Sequence, residues 1–149
     1  MKILRKWLSQ LIAPKETIIS FREGMNLTEL PVITLYQGEK KFNFLLDTGS
    51  NNSIIDSNIL DTIEHQPIDE KSNIFGMEGN SKVVSLCNIT LSYKDKEYTY
   101  PYLMCDMKAA FDSMKRDTGV TLHGIIGSKF FNTYKYVLDF AELIAYSKA

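Results

Sequence analysis

Residues 44–50 read Phe-Leu-Leu-Asp-Thr-Gly-Ser, an apolar strand that ends in an acid and a tight turn. The two leucines favour a buried strand, and a lone carboxylate at the end of such a strand is costly unless it has hydrogen bonds or a chemical task. The threonine and serine that follow Asp47 can hydrogen-bond its carboxylate, and Gly49 lets the backbone turn because it has no Cβ. The stretch therefore predicts an acid at the floor of a cleft.

A second segment, at residues 122–131, reads Leu-His-Gly-Ile-Ile-Gly-Ser-Lys-Phe-Phe. The stretch at residues 44–50 resembles the active-site loop of aspartic proteases in their retropepsin-like form, the single-lobed members of the pepsin-like clan. The second segment resembles the apolar-apolar-glycine signature that these proteases carry C-terminal to the loop. The resemblance covers roughly residues 28 to 147, nearly the whole chain.

The resemblance implies a mostly β fold, a retropepsin-like acid protease barrel with short helices and a single lobe. In that fold the strand Gly124-Ile125-Ile126-Gly127 runs beside the strand that carries the acid, and its glycines permit close approach of the backbones. Asp47 is then the catalytic residue, and Thr48, Gly49 and Ser50 support the active-site loop.

A hairpin is predicted between the two motifs, from residue 71 to residue 91, with glycines at its tip. The resemblance implies that this hairpin is a flap that closes over bound peptide, with Gly76, Met77, Glu78 and Gly79 contacting the substrate. A plain surface hairpin is the alternative. Glu78 could read a basic side chain of the substrate or be a solvated carboxylate.

Short strands and helices are expected along the rest of the chain. The pattern predicts strands at residues 16–22, 30–36, 41–46, 53–56, 98–105, 136–140 and 143–146, turns at 23–26 and 37–40, and helices at 57–61, 108–116 and 127–133.

Several polar residues could compete with Asp47 for a catalytic role. A second Asp-Thr-Gly occurs at residues 117–119, but it follows Met-Lys-Arg rather than a buried strand, so a surface turn is expected. His65 and His123 are isolated and are expected to be structural. Asp139 fits a turn at the end of a strand.

Aspartic proteolysis needs two carboxylates that face one water molecule, and this chain supplies one credible acid. We therefore expect a C2 homodimer in which Asp47 from each protomer meets at the two-fold axis. The expected function is an aspartic endopeptidase that hydrolyses an extended peptide or protein substrate, with no metal and no cofactor. The alternative is a non-catalytic peptide-binding or dimerisation module with the same fold.

The composition fits one ordinary globular domain of 149 residues, with 44% hydrophobic residues and a net charge of −1. A charge so near balance gives no electrostatic footprint for nucleic acid. Cys87 and Cys105 lack the spacing of metal ligands and are expected to be small buried residues. Unbridged thiols suit a cytoplasmic protein.

The first fifteen residues are set apart from the protease domain, which is expected to span residues 16–149. Over residues 2–12, apolar residues recur at helical spacing and basic residues lie between them, which predicts an amphipathic helix or extension. We expect this segment to pack on the domain or on a dimer partner. A basic helix on a membrane surface is the alternative, and it would make the protein peripheral to a membrane.

Overall fold

A computed structural model describes residues 17–75 and 81–148, without the side chains of residues 74, 75 and 81. Ten strands, three α-helices and one 3₁₀ helix lie in these ranges. They are β1 (Ile18–Ser20), α1 (Arg22–Thr28), β2 (Val32–Gln37), β3 (Lys40–Asp47), β4 (Ile54–Asp56), the 3₁₀ helix (Ser57–Thr62), β5 (Gln66–Phe75), β6 (Ser81–Tyr93), β7 (Lys96–Cys105), α2 (Lys108–Thr118), β8 (Gly124–Gly127), α3 (Ser128–Thr133), β9 (Tyr136–Asp139) and β10 (Ile144–Ser147).

Six of these strands form a closed barrel. Their order is β2-β3-β8-β4-β7-β6, and pairing of Tyr36 with Ser92 brings β6 back to β2. Strand β5 pairs along β6, and β1, β10 and β9 form a separate three-stranded antiparallel sheet. The prediction of a mostly β fold with short helices is confirmed.

Strand β3 has two faces with different surroundings. Phe42, Phe44 and Leu46 are buried in the barrel core, whereas the alternate residues from Asn43 to Asp47 are only partly buried. Leu45 lies on the second face and packs, with Ile125, in a smaller cluster that helix α2 covers. Because side chains alternate along a strand, Asp47 shares the face of Leu45 rather than the barrel core.

Strand β8 lies between β3 and β4. It pairs parallel with β3, from Phe44 opposite Gly124 to Asp47 opposite Gly127, and antiparallel with β4. The prediction that the second motif runs beside the strand of the acid is confirmed. The connection from β3 to β4 therefore crosses the carboxyl end of β8.

An aromatic cluster anchors helix α3 to the barrel. Phe130 of α3 packs its ring against Tyr98, Tyr100 and Tyr134. The hydroxyls of Tyr98 and Tyr136 form a hydrogen bond, and burial followed by this bond raises the pKa of Tyr98. The short helix that follows the second motif is thus held against the barrel by aromatic packing.

The turn predicted at residues 23–26 is wrong, because these residues lie in helix α1. Met25 of this helix packs against the barrel core. A Cβ on Gly24 would lie 2.4 Å from the carbonyl oxygen of Val32, so the glycine serves a close helix–strand approach instead of a turn. The sequence pattern predicted a turn at Gly24, but this glycine allows the helix to pack closely against the strand.

The second Asp-Thr-Gly, predicted to be a surface turn, lies where helix α2 ends. Asp117 is exposed in the last turn, and Gly119 adopts a left-handed φ of 79° at the C-cap. Asp139 is confirmed as a turn residue, since its Oδ1 accepts hydrogen bonds from the backbone of Ala141 and Glu142.

Cys87 is fully buried, as expected, whereas Cys105 is only partly buried, and the two thiols are not bridged. Burial raises the pKa of Cys87 to about 11. The N-terminal helix or extension expected at residues 1–15 lies outside the described residues. Across residues 17–75 and 81–148, no helix has the length and apolar character needed to cross a membrane.

Candidate active site

Asp47 is the last residue of β3 and is half-buried. Its Oδ1 accepts a hydrogen bond from the backbone N–H of Gly49 at 2.9 Å. Thr48 and Gly49 are exposed, so the turn that follows the carboxylate lies at the protein surface. The hydroxyl of Ser50 was expected to bond this carboxylate, but it donates to the carbonyl of Asn52 at 2.7 Å. The Ser50 hydroxyl therefore stiffens the loop, and only the backbone N–H of Ser50 bonds Asp47, at its backbone carbonyl.

The loop of residues 48–53 is held from below by β8 and α3. The backbone N–H groups of Ser128 and Lys129 donate to the carbonyls of Ser50 and Asn51, at 2.7 and 3.2 Å. These amides belong to the first turn of α3, where N–H groups have no partner inside the helix. The buried hydroxyl of Ser53 also accepts a bond from the N–H of Gly127 at 3.0 Å.

Both glycines of the second motif are required by close backbone contacts. A Cβ on Gly127 would lie 2.4 Å from the carbonyl oxygen of Asn52, and one on Gly124 would lie 2.5 Å from that of Ile54. Real Cβ atoms do not approach so closely, so β8 could not fit beneath the loop with larger residues. The segment from Gly124 to Gly127 thus shapes the loop of Asp47 without supplying a reactive group.

A long hairpin rises beside this loop. Strands β5 and β6 pair from Gln66 to Phe75, but β7 pairs with β6 only from Leu86 onward. Residues 71–75 and 81–85 therefore form a two-stranded ribbon that extends beyond the barrel. The hairpin is confirmed, whereas Gly76, Met77, Glu78 and Gly79 at its tip lie outside the described residues.

A cavity of about 290 Å³ separates the ribbon from the loop. Its walls include Asn73 of the ribbon, residues 49–52 of the loop, and Leu103 of β7. Strand β5, which carries Asn73, is the last strand in the order of its sheet, and peptides commonly bind in strand form against such an edge. We call this cavity the loop cavity.

Asp56 is a buried carboxylate that sequence reasoning missed. Its Oδ1 accepts hydrogen bonds from the backbone N–H groups of Asn58 and Met107 and from the Asn58 amide. It lies at the Gly124 end of β8, whereas Asp47 lies at the Gly127 end. Asp56 therefore joins the 3₁₀ helix to α2 and does not pair with Asp47. Its only signal in the sequence was the capping pattern Asp-Ser-Asn.

His123 is structural, as predicted. Its Nδ1 accepts a hydrogen bond from the backbone N–H of Asn43 at 2.9 Å, so Nδ1 carries no proton and the ring is neutral. Burial lowers the pKa of His123, although the negative charge of Asp56 opposes the shift. His65 makes a local hydrogen bond between its Nδ1 and the carbonyl of Ile63.

The lowered pKa of His123 predicts that acid weakens the fold. The pKa of His123 is lower in the folded chain than in the unfolded chain. At pH values between the two, the unfolded chain binds more protons, so the free energy of unfolding should fall as pH drops below about 6.5. His123→Asn keeps an acceptor for the Asn43 N–H and should flatten this part of the profile. Urea unfolding between pH 5 and 8 measures the effect, with His65→Asn as the matched control. A wild-type profile that matches His123→Asn would contradict the prediction.

Within residues 17–75 and 81–148, no three His, Cys, Asp or Glu side chains converge where they could hold a metal ion. The chain matches no model of a known protein family and no curated protein.

Proposed function

We propose that this chain is a retropepsin-like aspartic endopeptidase that hydrolyses extended peptides at a pair of carboxylates formed across a homodimer. The observation that carries the proposal is the position of Asp47, half-exposed at the end of β3, in a loop fixed by β8 and α3. Asp56, by contrast, is buried, and its Oδ1 accepts three hydrogen bonds. Asp47 instead has one oxygen held by Gly49 and lies on an accessible turn.

The chemistry follows from two such carboxyls that share one proton. The ionised carboxylate takes a proton from water as the water oxygen attacks the scissile carbonyl carbon. The protonated carboxyl donates a hydrogen bond to the carbonyl oxygen and stabilises the charge that develops there. Proton transfer to the leaving nitrogen then allows the C–N bond to break. Two close carboxyls cannot both ionise, which keeps one of them protonated.

One chain brings one acid to this loop, so the second must come from a second copy related by a two-fold axis. The half-exposed carboxylate is accessible to such a copy, because it lies at a turn whose next two residues, Thr48 and Gly49, are exposed. The substrate would lie between the paired loops and the ribbons, with its backbone extended and its side chains in cavities such as the loop cavity.

The proposal predicts a dimer in solution. Light scattering at micromolar concentration should give twice the chain mass of 17.0 kDa. Added statine-type peptide should strengthen the dimer, because it occupies a cleft to which both chains contribute. A strict monomer in the presence of this inhibitor would argue against a shared site.

A peptide-binding module without turnover is the second candidate. It is favoured by the loop cavity, which exists within a single chain and needs no second acid. Cleavage of an unstructured peptide library between pH 4 and 7 separates the two candidates. Peptides that bind but remain intact would favour the binding module, whereas cleavage that statine-type inhibitors block would favour the peptidase.

A further inference from the structure

A second cavity, of about 270 Å³, adjoins the loop cavity. The two share Asn52 and Leu103 as lining residues, so a chain bound in one would continue into the other. Pockets that enclose a whole small molecule usually measure about 300–1,000 Å³. This cavity, which we call the lysine cavity, lies just below that range.

The lysine cavity has an excess of positive charge. Lys71 of β5 and Lys129 of α3 line it, and Glu70 is the one acid among its lining residues. Glu70 lies in the irregular part of β5, between Ile68 and Lys71. The one ion pair found in residues 17–75 and 81–148 joins two residues of α2, so neither cavity lysine has a carboxylate partner there. The cavity thus carries a net charge of about +1.

Lys129 is coupled to the candidate active-site loop. Its Nζ donates to the Oδ1 of Asn52 at 3.1 Å, and its backbone N–H donates to the carbonyl of Asn51. The amide oxygen of Asn52 is neutral, so the ammonium charge is not balanced. An ammonium group has three donors, and this contact uses one of them.

We propose that the lysine cavity is a subsite that binds an aspartate or glutamate side chain of the peptide substrate, with Lys129 as its main specificity residue. This inference rests on the proposed peptidase function. The carboxylate accepts a charge-assisted hydrogen bond from Lys129, and Lys71 adds attraction from the ribbon. Leu86 and Leu103 contact the methylene groups of the same side chain.

The test compares pairs of unstructured peptides that differ only by Glu or Gln at one position, with that position moved along the peptide. At pH 6, wild-type protein should cleave the Glu peptide with a kcat/KM about tenfold higher at one position, the low end for a hydrogen bond to a charged group. The preference should shrink at high salt, and it should shrink to about twofold near pH 3.5, because most of the substrate carboxyl is then protonated.

Variants assign the preference to Lys129. The ratio of Glu to Gln cleavage should fall close to one in Lys129→Met and should invert in Lys129→Glu. Lys115→Met removes the same charge from an exposed position on α2 and should keep the wild-type ratio. A ratio in Lys129→Met equal to that of the wild type would overturn the inference.

The outcomes distinguish the subsite from the peptidase. Equal wild-type cleavage of Glu and Gln peptides at every position would overturn the subsite and leave the peptidase intact. If no peptide is cleaved, the peptidase proposal fails, and the same pairs are tested for binding by fluorescence anisotropy. A Glu preference that Lys129→Met loses would then support the subsite, whereas equal binding or no binding would overturn it.

Discussion

Replacing Asp47 with asparagine should lower kcat/KM for peptide cleavage by about two to four orders of magnitude, the range that a positioned acid or base contributes. The amide cannot take a proton from water, and both dyad positions change at once because each chain contributes the same residue. Asparagine keeps an oxygen that can accept the hydrogen bond from Gly49, so the loop should retain its shape. Discontinuous cleavage assays against a peptide library measure the loss.

The matched control is Asp117→Asn, which removes the same charge from the second Asp-Thr-Gly. Asp117 is exposed on helix α2, so this variant should cleave at the wild-type rate. Circular dichroism and light scattering should give the same fold and mass for both variants and the wild type. The reverse pattern of activity, with Asp117 essential and Asp47 dispensable, would overturn the choice of catalytic acid.

Gly127→Ala should damage both the fold and the activity. The new methyl group would lie 2.4 Å from the carbonyl oxygen of Asn52 and 2.7 Å from that of Ser50. Both atoms are backbone, so the loop must move, at a cost of about 1–3 kcal/mol in unfolding free energy. A displacement of about 1 Å at a reacting group can lower the rate about 100-fold. Urea unfolding and peptide cleavage measure the two effects.

Gly119→Ala serves as the control for this glycine. Its Cβ would meet no heavy atom within 4 Å, and its cost comes from a left-handed φ of 79°. We expect a loss of about 1–2 kcal/mol in stability with no change in activity. An activity loss in Gly127→Ala no larger than in Gly119→Ala would show that β8 does not shape the loop.

Local patterns in the sequence predicted the features that depend on near neighbours. The apolar run before Asp47 predicted β3, whereas the place of the strand Gly124–Gly127 beside it was implied by the resemblance to aspartic proteases. The glycines between two strand-like runs predicted the hairpin of β5 and β6, although β5 begins at Gln66 rather than at residue 71. These signals were sufficient for the elements whose own residues favour a single type of structure.

Contacts between distant parts of the chain were not predictable in the same way. The role of Gly24 depends on Val32 packing against a helix, and the partner of the Ser50 hydroxyl depends on how the loop closes. The hydrogen bond from exposed Lys129 to Asn52 depends on the packing of α3 against the loop. Propensity and periodicity describe one element at a time, whereas these contacts depend on how several elements come together.

The insertion of β8 between β3 and β4 has a consequence for how the molecule is made. Strands β3 and β4 are close in sequence, yet the strand that separates them is synthesised long after both. Contacts between residues far apart in the chain slow folding, since a large loop must close before they form. When the loop after Asp47 emerges from the ribosome, the strand and helix that hold it have not yet been synthesised. Asp47 therefore acquires the neighbours that hold its loop only after β8 and α3 have emerged.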